Sequence, residues 1–502
     1  MFLELLDFSS LLLLPLLFFI LKLSGNSKTN SNSKLPKSYP IIGSFPALYK
    51  NYANRLPWFT ELLQDSPTST ITMHHSLGHH FVVTANPAVV QHILKTKFHI
   101  YQKGESFRTT LHDLLGGGIF NADGDNWRFQ RQLSSHEFNT KSLRKFVEDV
   151  VDTELYDRLI PILSKSSCDR TVLDFQDILQ RFAFDNICRI GFGYDPEYLL
   201  PSLPQAKFAV AFDDAVQISG ERFSSMRPVW KIKRALEIGS ESHLRRVVSD
   251  VREFANTIVK QKKREIDEKK TLVSHDLLSR FLSSGHSDEK FVTDIVISFI
   301  LAGRDTTSAA LTWFFWLISK HPNVESQILK EINEKMETGV GYDEAKEMVY
   351  THAALCESMR LYPPVPTDSK EAVEDDVFPD GTKVKKGMKV TYHVYAMGRM
   401  EQIWGKDWAE FRPERWLERD VATEKWRFVA KDSFSYPVFQ AGPRICLGKE
   451  MAFLQMKRVV GEVLKRFKVV PEKRENGKEP EFLAYLTGKM KGGFPVTVVV
   501  RA

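Results

Sequence analysis

The sequence predicts a mainly α-helical protein with small β-sheets, a single body preceded by an apolar N-terminal segment. Three observations carry that prediction. About thirty residues from Phe291 to Lys320 pass without a proline, with apolar positions recurring at helical spacing. A second helical run, HAALCESMRLY, stops ahead of Pro363 and Pro364, because the residue before a proline is driven out of the helical region. The strand-like runs are short: TITMHH and HHFVVTA, joined around Ser76 to Gly78, read as a hairpin, and KVTYHVYA and the terminal PVTVVV read as further strands.

In chain order, Phe2 to Leu23 (FLELLDFSSLLLLPLLFFILKL) is long enough to cross about 30 Å of hydrocarbon as a helix. Acids come first, and Lys22, Lys28, Lys34 and Lys37 follow, which is the reverse of a cleavable signal peptide and leaves the following body in the cytosol. Residues 1–23 are therefore expected to be a single transmembrane signal-anchor in the endoplasmic reticulum membrane. Residues 24–46 combine a polar linker, SGNSKTNSNSK, with LPKSYPIIGSFP, whose prolines stiffen the connector. From residue 47 to 502 there is no internal repeat and no second linker, so one compact unit is expected.

Composition narrows the class. With 43% hydrophobic residues, 26% charged residues and a net charge of +6, the chain reads as an ordinary globular protein without a nucleic-acid-binding arm. Cys168, Cys188, Cys356 and Cys446 form no CxxC pair, which argues against a zinc site or a secreted disulfide framework. His74, His75, His79 and His80 flank a turn and read as surface rather than as a metal site. LLGGGIFNADGDNW lacks the GK[ST] ending of a phosphate loop and reads as a bend, followed by Asp123 or Asp125 capping a helix.

One stretch is different in kind. In PVFQAGPRICLGKEMAF, Phe439, Gly442, Arg444, Cys446 and Gly448 stand in an FxxGxRxCxG frame. Glycines allow close backbone approach, and amides of the following turn together with the start of a helix favour a charged sulfur. The frame resembles the thiolate loop of the cytochrome P450 family, which implies the fold of that family, heme b (iron protoporphyrin IX) as cofactor and Cys446 as ligand to the iron. The other three cysteines read as core residues.

Further segments resemble the same family in the same order. Glu357 and Arg360 form its ExxR pair, one helical turn apart, and Arg415 in FRPERW is their implied partner in a structural charge network. Trp127 and Arg131 in WRFQR resemble its WxxxR pair, so that Trp127, Arg131 and Arg444 are implied contacts of the haem propionates. YPPVPTDSK offers only Lys370 for a further contact, which stays unassigned. LAGRDTTSAA resembles the AGxDTT element: Ala302 and Gly303 are small, and Thr306 follows Ala302 by four on one helix face. The Thr306 hydroxyl can then hydrogen-bond dioxygen or water, and Asp305 can relay protons from solvent; the bland alternative for Thr306 is a hydroxyl satisfied by its own helix. With no flavin or NADPH module in the chain, the resemblance implies electrons from NADPH through a separate NADPH–cytochrome P450 reductase.

The longer runs YQKGESF, LLGGGIFNADGDNWRFQR, ISFILAGRDTTSAALTWFFW, VYTHAALCESMRLYPPVPTDSKEAV and VYAMGRMEQIWGKDWAEFRPERW are similar to the plant fatty-acid ω-hydroxylase group. That likeness implies a monooxygenase acting on the terminal or near-terminal carbon of a long-chain fatty acid, in a pocket including Leu115, Phe120, Phe299, Ala302, Val365 and Leu486. Relatives in that group oxidise jasmonoyl-amino acids or sterol side chains, which is the alternative substrate class. Arg108 reads first as surface charge and second as a partner for a substrate carboxylate. A reductase-independent haem-thiolate isomerase, or a haem sensor, would have no use for the AGxDTT element.

Overall fold

The computed structural model describes residues 35–39, 42–74, 79–138, 148–205, 207–269, 276–283, 288–335, 342–420, 425–474, 477 and 479–501. The expected anchor and the polar linker up to residue 34 lie outside them, and no helix among the described residues is long and apolar enough to cross a membrane. Pro46, expected in the stiff connector, instead opens a short helix, Phe45–Lys50.

A central helix organises the rest. It starts at Glu289, where the Asp288 carboxylate caps the Lys290 N–H, runs through Glu289–Ile300, passes a π-helical turn at Leu301–Asp305 and continues through Thr306–Lys320. His321 then precedes Pro322, which ends it. The π-turn contains the small residues Ala302 and Gly303. Gly303 lies so close to the helix Phe175–Phe192 that a Cβ there would come within 2.5 Å of Ile187. On either side of the turn the central helix belongs to different apolar clusters. Val292 to Leu301 pack with the helices Lys207–Glu221 and Gly239–Lys269. Ala310 to Ile318 pack with Val349–Leu361 and Lys449–Arg466.

A third cluster surrounds a five-stranded sheet. Its strands are β1 (Thr70–His74), β2 (His80–Thr84), β3 (Tyr101–Gln102), β4 (Asp368–Ala372) and β5 (Lys389–Tyr392), ordered β1-β2-β5-β4-β3. The expected hairpin is β1 against β2, antiparallel from Thr70 opposite Thr84 to His74 opposite His80; its turn, 75–78, lies outside the described residues. The described histidines His74, His79 and His80 are exposed, with the His74 and His80 rings 4.4 Å apart. KVTYHVYA is only half a strand. Extended structure stops at Tyr392 because the His393 ring nitrogen accepts from the Ala396 N–H at 3.0 Å and starts the short helix Val394–Met397. PVTVVV is a strand, Pro495–Val500, paired with Phe467–Pro471 and Leu173–Asp174.

Capping around residue 123 differs from expectation. Asp123 reaches back across the bend to accept from the N–H groups of Lys103 (2.9 Å) and Gly104 (3.1 Å), so it caps the helix Gly104–Leu115 rather than its own. Arg108 lies on that same helix and pairs with Glu105 at 3.2 Å on the exposed side. Cys188 and Cys356 are buried as expected, but Cys168 is exposed.

Candidate active site

Where the three apolar clusters meet, a cavity of about 1210 Å³ opens between the central helix, the sheet and the loop before Lys449–Arg466. Its lining takes Ala310, Met359 and Met456 from one cluster, Leu111, Leu115 and Phe299 from another, and Phe59 and Val83 from the third. Leu115, Phe120, Phe299, Ala302, Val365 and Leu486, which are far apart in sequence, all face this one space.

Cys446 forms part of the lining, together with the small residues Ala302 and Gly303 of the central helix. Burial pushes its thiol up, while the Gly448 N–H, Arg131 and Lys449 pull it down. The loop is pinned from behind. Cys446 N–H donates to Phe439 O at 2.8 Å, and the Phe439 ring packs on Phe453 at 5.2 Å. Gly442 has φ +63, and a Cβ there would lie 2.0 Å from Leu94 O. Its smallness therefore serves the contact with the turn at Leu94 rather than the cavity face.

Two guanidinium groups border the thiol. Arg131 lines the cavity with no carboxylate in ion-pair reach among the described residues, and burial depresses its pKa against the pull of Cys446. Arg444 also lines it, donating to Ala122 O (3.0 Å) and Asp123 Oδ1 (2.9 Å) and leaving a buried Nε without a partner. Trp127 is off the lining; its ring lies under the Arg444 guanidinium at 4.5 Å and orients it. Lys370 is buried away from the cavity on Asp368 (2.7 Å), whose other oxygen takes Lys103 at 2.8 Å. Lys103 does line the cavity.

On the central helix, the Thr306 hydroxyl donates to Ala302 O at 2.6 Å, yet the residue lines the cavity, so its oxygen still offers lone pairs to that space. Asp305 is not on the lining. It is 2% exposed, with Arg304 Nη1 at 2.8 Å and Thr487 Oγ1 at 3.2 Å. Burial raises its pKa against Arg304 and Lys489, and Arg304 and Lys489 are in turn held by Asp213 at 2.6 and 2.8 Å. Thr487 does line the cavity, so its hydroxyl links Asp305 to that space.

Away from the cavity, Glu357 accepts from Arg360 (2.8 Å at each oxygen), Arg415 Nε (2.9 Å), Trp416 Nε1 (2.9 Å) and Arg412 N–H (3.1 Å). Arg360 also donates to the carbonyls of Gly398, Trp408 and Glu410, which ties the helix Val349–Leu361 to the segment that leads into the Cys446 loop.

A thiol facing an apolar space, with small helix residues in the same lining and two cations at its edge, defines a haem-thiolate site, and the comparisons agree. The family model for cytochrome P450 matches residues 34–492, and the chain belongs to the cytochrome P450 family. It is 64% identical over 478 residues to cytochrome P450 94A2 of Vicia sativa, covering 94% of this chain and 93% of that one. To cytochrome P450 94B1 of Arabidopsis thaliana it is 48% identical over 503 residues, covering 99% and 98%. The chain is a cytochrome P450 monooxygenase, and haem is the cofactor of its family. The residues present fit that group: a flat macrocycle with anionic side chains would meet the unpaired Arg131 and the orphaned Arg444 Nε while presenting its iron to Cys446.

A Thr306→Ala variant tests the distal side. Product formed per NADPH consumed is expected to fall several-fold, with hydrogen peroxide making up the difference, if the cavity-lining hydroxyl passes protons into that space. Unchanged coupling would assign Thr306 only to its own helix.

Proposed function

We propose that this monooxygenase hydroxylates the terminal or near-terminal C–H of a long-chain fatty acid, with O2 and with electrons delivered from NADPH by a separate NADPH–cytochrome P450 reductase. The body works on the cytosolic side of the endoplasmic reticulum membrane, held there by residues 1–23. The observation that carries the substrate class is the cavity: about 1210 Å³, lined by Leu115, Phe120, Phe299, Val365 and Leu486, and ending on Cys446. Each methylene withdrawn from water into such a lining contributes about 0.8 kcal/mol.

When bound, the haem supplies the oxygen activation that no side chain can supply. Cys446 would hold its iron, the Phe439 and Gly442 loop would keep the sulfur in place, and Arg131 and Arg444, steadied by Trp127, would hold its propionates. Thr306 keeps a hydroxyl at the reacting face, and Asp305 behind Thr487 serves as a reservoir of protons. Selectivity among carbons needs little energy, since about 1.4 kcal/mol between two poses changes a product ratio tenfold.

The reading is tested by supplying the full-length protein with reductase, NADPH and a panel of saturated and unsaturated fatty acids, a jasmonoyl-amino acid and a sterol, with products identified by mass spectrometry. ω- or near-ω-hydroxy fatty acids are expected, and only with reductase present. Preferential turnover of the jasmonoyl conjugate or the sterol would replace the substrate; turnover without reductase would replace the reaction.

A further inference from the structure

The cavity contains more positive charge than the cofactor needs. Its acids are already engaged: Asp368 by Lys103 and Lys370, Glu105 by Arg108 and Thr109, and Glu371 by the Ser106 N–H at 3.3 Å. Of its cations, Arg131 and Arg444 sit beside Cys446, Arg222 is paired with Asp113 and Glu241 and Lys385 with Asp375, and Arg227 and Lys386 are exposed to solvent at the rim. Arg55 and Lys389 remain. Both line the cavity, and neither has a carboxylate in ion-pair reach among the described residues.

Their placement is specific. Lys389 opens β5 and shares the cavity face of the sheet with Phe81, Val83, Ser369, Glu371 and Thr391. Three residues further along, Tyr392 is hydrogen-bonded to Gln440 of the Cys446 loop, so Lys389 stands about 10 Å up the strand from the level of that loop. Glu371, its partner across the strands, turns to the start of the helix Gly104–Leu115. The Lys389 ammonium lies 5.1 Å over the Phe223 ring. Arg55, first residue of the helix Arg55–Asp65, donates through Nη1 to the Ser224 hydroxyl, next to Phe223 in sequence. Burial lowers the Lys389 pKa to about 8, with Arg55 and Arg227 adding to the effect and Asp368 opposing it. Glu221, which acts on Tyr52 together with Arg55, is itself hydrogen-bonded by Gln217 at 3.0 Å.

Two cations crowded in a partly desolvated apolar space, each without a counter-charge, are unfavourable unless an anion joins them. We propose that Arg55 and Lys389 are the receptor for the carboxylate of an acyl-chain substrate, at the end of the cavity away from Cys446, with the Tyr52 hydroxyl as a neighbouring donor. A planar guanidinium and an ammonium approaching from two elements, a helix and a strand, suit the two oxygens of a carboxylate. The anchor takes the place of Arg108, which faces solvent. It rests on the fatty-acid reading above and adds to it the group that is recognised and the residues that recognise it.

The test compares dodecanoic acid with dodecanol, measured by equilibrium dialysis on the full-length holoprotein and on Arg55→Gln, Lys389→Gln, the double variant and Arg55→Lys. The Kd for the acid is expected to rise at least about tenfold in the double variant and to recover in part in Arg55→Lys, with the Kd for the alcohol moving less than about twofold. The reduced carbon-monoxide spectrum reports that each variant is folded and loaded. Equal losses for acid and alcohol, or no loss for either, overturn the anchor and leave the fatty-acid reading standing. A wild-type protein that binds neither ligand overturns both.

Discussion

A Cys446→Ala variant is expected to lose the reduced carbon-monoxide band for which the family is named, and its turnover is expected to fall by at least about 1,000-fold, the scale on which a group central to the chemistry is missed. No other cysteine lines the cavity. The Gly448 N–H and the cations Arg131 and Lys449 all favour negative charge at that one atom. The loop itself should survive, since its geometry rests on the Cys446–Phe439 backbone bond and on Gly442 against Leu94. The cofactor-free variant should therefore match cofactor-free wild type in circular dichroism and melting temperature. A variant that kept the band would remove Cys446 as the ligand.

The second large effect lies behind the site. Glu357→Gln is expected to cost about 3–5 kcal/mol, the range for breaking a fully buried ion pair, against a typical total stability of about 5–15 kcal/mol. Glu357 is 0% exposed, and its two oxygens receive five donor contacts from Arg360, Arg412, Arg415 and Trp416. Glutamine replaces one accepting oxygen with an NH2 that must face these donors, and it leaves Arg360 and Arg415 without their shared negative charge. The yield of soluble haem protein should collapse, and the residual fraction should melt earlier while keeping its turnover per haem. Normal stability with impaired turnover would instead make Glu357 part of the chemistry.

Much of this was legible in the sequence because it is local. The central helix, the Glu357–Arg360 spacing and the frame around Cys446 each depend on residues within a turn or two of one another, and each is found where the pattern put it. The six apolar residues expected in the pocket do converge on one cavity, although only the family likeness, and no local pattern, could bring them together. What escaped depends on what lies across a gap. Asp123 looks like the cap of the helix it precedes, but the free N–H groups it finds belong to another helix. KVTYHVYA reads only as a strand, and no local pattern in it marks the face that carries Lys389 and Thr391 as a cavity wall. Asp305 follows Arg304 directly, and nothing in LAGRDTT reveals that the acid turns toward Thr487 and away from the lining.

The π-turn at Leu301–Asp305 lies at the seam between two apolar clusters, and the reaction space opens at the same seam. A side chain such as Phe120 or Val365 that faces open space can grow or shrink without overpacking a core or leaving a hole in one. Robustness and taste are thus inherited through different residues in this molecule. A lineage can try new substrates along the seam while the clusters on either side keep the protein folded.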